Sequence, residues 1–122
     1  MIKEIAFVAY PAKDVAALRD WYHEHLGIVF HQSMEEGGVV QFAESKIGDG
    51  YFSLMNHEWM HREPGSASGI AFEVDDLNAT LAELRSQGMT IEDPYDTPVC
   101  RITTANDPEG NSVMLHQITV PH

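Results

Sequence analysis

Cysteine is nearly missing from this chain. Cys100 is the only one in 122 residues, so no disulfide can close within it, and a reducing cytoplasm is the expected home. No run of 18 apolar residues occurs, which excludes a membrane-spanning helix. The opening MIKEIAFVAYPAKD lacks the apolar stretch and small-residue cleavage site of a secretory leader. Basic residues are scarce too: 7 Lys and Arg stand against 19 Asp and Glu, a net charge of −12. Such a surface repels phosphate backbones and anionic lipids, so neither nucleic acid nor membrane is an expected partner. It favours a cationic one, although a solvated surface has the same composition.

What the chain does contain is a repeat. FVAYPAKDVAALRDWYHEHLG, starting at Phe7, and GIAFEVDDLNATLAELRSQG, starting at Gly69, align with Asp14 on Asp76 at an offset of 62 residues. Phe7 then falls on Gly69, Val8 on Ile70, Ala9 on Ala71 and Tyr10 on Phe72. Each copy reads as a strand, a turn with Asp, a helix and a glycine stop. A repeat at half the length means two similar modules, each too small to close its own core. One domain over residues 1–122 is expected, with module one at about 1–60 and module two at about 66–120.

Asp14 can cap the first helix, where Val15, Leu18, Tyr22 and Leu26 form one apolar stripe before Gly27. Asp75 or Asp76 caps the second, with Leu77, Leu81 and Leu84 as the stripe and Gly88 as the stop. Short strand-like runs follow each helix. They are Val29–Gln32, Val39–Ala43 and Tyr51–Met55 in the first module, and Thr90–Ile91, Cys100–Thr104 and Ser112–Ile118 in the second. The last two flank Asn106-Asp107-Pro108-Glu109-Gly110-Asn111, a strong turn signal. The result is an α+β chain of two βαβββ modules, forming a cupped, mainly antiparallel mixed sheet with its helices on one face. Alternation puts Ile70, Phe72, Val74, Phe52, Leu54, Val113 and Leu115 under the helices. Phe7, Ala9, Ser53, Met55, Gly69, Ala71, Glu73, Ser112, Met114 and His116 then face the hollow.

The strand–helix–LG opening, the FEVDDL segment and the late DPEGN turn resemble the vicinal oxygen chelate superfamily. This group includes glyoxalase I, bleomycin-resistance proteins, extradiol dioxygenases and fosfomycin-resistance enzymes. The resemblance runs from Ile2 to about Gln117 and implies a cupped sheet holding the active site, commonly in a homodimer. It also implies four symmetric metal-ligand positions, which carry over to Phe7, Ser53, Gly69 and Met114. None is a good ligand for Zn, Ni, Mn or Fe: two lack donor side chains, and a hydroxyl and a thioether suit these ions poorly. No metal or other cofactor is therefore expected.

The remaining hollow is mostly apolar, which suits a small organic ligand, a cationic one included. Phe7, Met55 and Met114 supply aromatic and adaptable surface, or simply fill the space against each other. Glu73 and His116 are the candidate polar groups, either for acid–base work or for orienting a ligand. A rim carboxylate and a structural imidazole are the alternatives. Arg101 can pair with Glu73 or an anionic ligand, or can lie on the other face. His57-Glu58-Trp59-Met60-His61 spells HExxH, but the segment runs into Arg62-Glu63-Pro64-Gly65 and leaves little room for the helix a zinc site needs. Two functions follow. One is a metal-independent binder of a small organic molecule in the cup, of the sequestering, resistance type or acting as a metal-free enzyme. The alternative is a metal-dependent glyoxalase-type lyase or dioxygenase with displaced ligands, drawing on Glu73, His116 and His57.

Overall fold

Two aspartates start the two long helices. In the computed structural model, which describes residues 1–120, Asp14 Oδ1 accepts from Ala17 N at 3.0 Å and Asp76 Oδ1 accepts from Ala79 N at 3.1 Å. Each satisfies a backbone donor that the first helical turn leaves open. The chain divides into two compact units. One comprises Met1–Ala67 with Asp107–Asn111, and the other Ser68–Asn106 with the residues from Ser112 onward.

The first unit contains β1 (Val8–Ala12), α1 (Val15–Leu26), β2 (Gln32–Glu36), β3 (Val39–Ile47), β4 (Gly50–Asn56) and the single turn α2 (His57–Met60). Its sheet runs β1-β4-β3-β2. β1 pairs parallel to β4, with Ala9 opposite Ser53, while the other neighbours are antiparallel. Val15, Leu18 and Tyr22 form the buried stripe of α1, over Tyr10, Ala43, Phe52 and Leu54. The Tyr22 and Tyr10 rings meet Phe52 edge to face at 5.2 and 5.5 Å. Burying each such side chain contributes roughly 1.5–3 kcal/mol. Gly27 ends α1 at φ 68°, a left-handed geometry that suits glycine.

The turn Asp107–Asn111 belongs with this first unit. The Tyr22 hydroxyl donates to Asp107 Oδ2 at 2.8 Å, and Asn111 Nδ2 donates to the same carboxylate at 2.9 Å. The Glu109 carboxylate accepts from the backbone N–H of Lys13 and of Asp14. Gly65 lies so close to this turn that a Cβ there would meet the Glu109 carbonyl oxygen at 2.2 Å.

The second unit repeats the plan with β5 (Ile70–Glu73), α3 (Leu77–Ser86), β6 (Tyr95–Asp96), β7 (Cys100–Asn106) and β8 (Ser112–Ile118). Its sheet runs β5-β8-β7-β6, again with one parallel pair, β5 with β8. Leu77, Leu81 and Leu84 of α3 are buried, as are Val113 and Leu115 of β8. The α+β class and the two βαβββ modules are thus as expected, and no described helix is long and apolar enough to cross a membrane.

Two strands are displaced from expectation. Val29–Gln32 was expected as a strand, but β2 begins at Gln32, and all five of its residues are exposed. An exposed edge strand carries no apolar alternation, so the apolar Val29 and Phe30 pointed to the wrong segment. Thr90–Ile91 is not a strand either. The Ile91 carbonyl is bonded by the Arg85 guanidinium at 2.6 Å and the Glu92 carbonyl by the Thr103 hydroxyl at 2.9 Å. Side chains there take the place of a neighbouring strand.

Candidate functional site

Each sheet has one face under its helix and one face open, and the strand registers sort the residues between them. In the first unit Ala9, Ser53, Glu44 and Gln32 form one row across the open face. Tyr51 and Lys46 form the adjacent row on one side, and Pro11, Met55 and Phe42 the row on the other. Phe7 immediately precedes β1 and is 45% exposed. Ser53 is fully covered, and its hydroxyl donates to Glu44 Oε2 at 3.1 Å. A hollow of about 220 Å³ is lined by His31, Gln32, Glu44, Lys46 and Tyr51.

In the second unit Ala71, Met114 and Thr104 form one open-face row, and Glu73, His116, Ile102 and Tyr95 form the next. The parallel register sets Glu73 directly opposite His116, with Glu73 Oε1 2.5 Å from His116 Nδ1. The other oxygen, Oε2, accepts from the Ile118 N–H at 2.7 Å. A carboxylate at Nδ1 accepts the hydrogen bond of an Nδ1–H and so fixes the orientation of the ring, with Nε2 as its other polar atom. Met114 lines a hollow of about 530 Å³ together with Ile102, Thr104, Tyr95, Glu92 and Asp93. Gly69 is exposed at φ 103°, with open space where a side chain would stand.

The pairing of Arg101 with Glu73 needs correction. Arg101 is opposite Gln117 in the register, on the same side as Thr103 and Ala105, and it donates to Asp96 at 2.8 Å and to Asn78 of α3 at 2.9 Å. That is the helix side of the sheet. One step along a strand reverses the face, so Arg101 and His116 are separated by the sheet itself.

The HExxH segment does not form the helix its chemistry requires. α2 ends at Met60, and His61 turns left-handed at φ 53°, so the two histidines do not share a helical face. His57 Nε2 lies 3.9 Å from Glu58 Oε1. Among the described residues no three His, Cys, Asp or Glu side chains gather into a metal-binding group. Phe7, Ser53, Gly69 and Met114, the positions to which the sequence resemblance points, contain no imidazole and no carboxylate, so as a donor set they do not fit a divalent transition metal.

The pKa of Tyr22 is raised strongly, first by burial and then by the adjacent Asp107 carboxylate. The residue lies under α1, away from the open face, and its role is structural.

Sequence reasoning overlooked several hollow-lining residues. Glu44 and Lys46 continue the alternation of β3 beyond Ala43, where the expected strand stopped, so extending the period by two steps would have found them. Tyr95 sits in a two-residue strand too short for any periodic signal.

A family profile described as the glyoxalase/bleomycin resistance protein/dioxygenase superfamily matches residues 4–115. Among solved structures, the antibiotic-binding protein TnmS3 from Streptomyces sp. CB03234 is 25% identical, with a TM-score of 0.80 over 97% of this chain and 98% of that one. A glyoxalase/bleomycin resistance protein from the same organism is 26% identical, with a TM-score of 0.76 over 93% of this chain and 100% of that one. Lactoylglutathione lyase from Agrobacterium tumefaciens shares the fold at 19% identity and a TM-score of 0.76, over 96% and 95% of the two chains. No curated protein sequence matches the chain. With a repeated βαβββ plan, an open face in each unit and a profile match over nearly its whole length, this chain belongs to the glyoxalase/bleomycin resistance protein/dioxygenase superfamily.

Proposed function

We propose that the chain binds a small organic molecule with a cationic group on the open sheet face of its second unit, and that it does so without a metal ion. The observation that carries this reading is the hollow of about 530 Å³ beside Met114. Its volume falls within the roughly 300–1,000 Å³ range of ligand pockets. Its lining fits the ligand class: Met114 and Ile102 offer adaptable apolar surface, Tyr95 a ring face, and Glu92 and Asp93 two carboxylates. The net charge of −12 would draw a cation from a distance. Metal independence rests on the four side chains Phe7, Ser53, Gly69 and Met114. A capture role is further supported by the 25% identity to an antibiotic-binding protein.

On this reading Gly69 and Met114 face the ligand, and the Glu73–His116 pair orients it. That pair also favours a metal-free enzyme as the second reading, because an imidazole set by a carboxylate can move a proton. Residues 1–122 would work as one domain, as a homodimer, in the cytoplasm.

Titration calorimetry with aromatic amines and their neutral isosteres, at low and high salt, tests the binding. The cationic member should bind at least about tenfold more tightly, a difference of roughly 1.4 kcal/mol, and should weaken with salt. Met114→Arg, which puts a long cation into the hollow, should abolish it. Equal, salt-insensitive affinities would overturn the cationic reading. Elemental analysis after exposure to Zn, Ni, Mn and Fe(II) tests the rest, since close to one retained equivalent per chain would end the metal-free reading.

A further inference from the structure

We infer that the open face of the first unit carries a separate site for a small zwitterion of the α-amino-acid type, held between Glu44 and Lys46. This does not depend on the reading of the second unit. Both residues line the hollow of about 220 Å³, together with Gln32, His31 and Tyr51. They are two positions apart on β3 and therefore on one face, with their backbone origins about 7 Å apart.

Opposite charges at that spacing would ordinarily pair, yet Glu44 and Lys46 form no ion pair with each other or with any described residue. The reason lies on the neighbouring strand. The Ser53 hydroxyl donates to Glu44 Oε2 at 3.1 Å, and Ser53 is fully covered, which turns the carboxylate toward β4 and away from Lys46. Glu44 Oε1 remains open as an acceptor, and the Lys46 ammonium remains open as a donor. The charges thus stand side by side, of opposite sign and neither in an ion pair.

That arrangement selects its ligand by charge. A simple cation attracted to Glu44 is repelled by Lys46, and a simple anion attracted to Lys46 is repelled by Glu44. A molecule carrying an ammonium and a carboxylate on adjacent atoms satisfies both. Its two charges, each with one hydrogen bond of about 2.8 Å, span the gap between the side chains. Tyr51 stands opposite Lys46 in the register and Gln32 opposite Glu44. They supply, respectively, a ring for an apolar side chain and an amide beside the ammonium.

The test uses the full chain and three probes of one shape: L-valine, L-valinamide, which lacks the carboxylate, and isovalerate, which lacks the ammonium. Binding is followed by NMR shifts of the backbone amides around Glu44, Lys46 and Tyr51. Valine should bind at least about tenfold more tightly than either analogue. Lys46→Gln should erase the preference for valine over valinamide while keeping that over isovalerate. Glu44→Gln should do the reverse. The crossed pattern cannot come from a general loss of structure. Equal affinity for the three probes, no shifts with any of them, or the same effect from both variants would overturn the inference. Met114→Arg, in the other unit, should leave valine binding unchanged, and loss of binding in that variant would also overturn it.

Discussion

Removing one hydroxyl should expose how much the first unit depends on the buried proton of Tyr22. In the Tyr22→Phe variant the ring stays, so the edge contacts with Phe52 at 5.2 Å and with Trp21 at 5.0 Å survive. What is lost is the 2.8 Å bond from the hydroxyl to Asp107 Oδ2. Asp107 is 4% exposed and keeps three other donors: the backbone N–H of Glu109 and of Asn111, and the Asn111 amide. A buried hydrogen bond to a charged acceptor contributes about 1.5–3 kcal/mol, and with three donors remaining the carboxylate is not orphaned. A loss of about 2 kcal/mol at neutral pH is therefore expected.

The dependence on pH gives a second handle on the same bond. The folded-state pKa of Tyr22 is raised by burial and by Asp107. A raised pKa means the stabilisation is fully present below the unfolded value, about 10, and is lost as pH rises beyond it, when the unfolded chain ionises and the folded chain does not. At pH 11 that linkage removes about 1.4 kcal/mol from the wild type and nothing from the phenylalanine variant. The other tyrosines are common to both proteins and cancel. The gap of about 2 kcal/mol at pH 7 should therefore shrink below about 1 kcal/mol at pH 11. Urea unfolding followed by tryptophan fluorescence reads this directly, because Trp21 and Trp59 both lie in the first unit. A difference under about 0.5 kcal/mol at pH 7, or one unchanged at pH 11, would refute the reasoning.

Two further substitutions test the frame. Gly65→Ala should cost more than about 2 kcal/mol, since φ is +80° and the new Cβ would meet the Glu109 carbonyl at 2.2 Å; a thermal midpoint within about 2 °C of wild type would contradict the close approach. Asp76→Ala should lower stability by about 1 kcal/mol through the lost cap of α3, with Asp76→Asn recovering most of it in chemical denaturation.

The legible part of the molecule was the part written in local signals. Asp14 and Asp76 act within three residues of themselves, and the stripes at Val15, Leu18 and Tyr22 or Leu77, Leu81 and Leu84 repeat within one helix. The faces of β4 and β8 followed from alternation, because Phe52, Leu54, Val113 and Leu115 are bulky enough to declare the buried side. Where bulk was missing the reading slipped. β2 is exposed throughout, and Arg101 is a long polar residue on a buried face. Its stem packs while its head reaches Asp96 and Asn78. The HExxH spelling failed for a related reason: a motif needs its helix, and His61 breaks it.

By itself, then, the sequence determined the repeat, the two capped helices, the α+β class and the shortage of metal donors at Phe7, Ser53, Gly69 and Met114. Each is a property of neighbouring residues or of residue chemistry, which survives whatever the chain does at long range. The tertiary structure alone decided which polar groups meet. Glu73 and His116 are 43 positions apart and become partners only through the parallel register of β5 with β8. Asp107 reaches Tyr22 across 85 positions, and Ser53 turns Glu44 away from Lys46 across a hairpin. Register is set by the whole set of buried side chains settling together, so no local pattern can announce it.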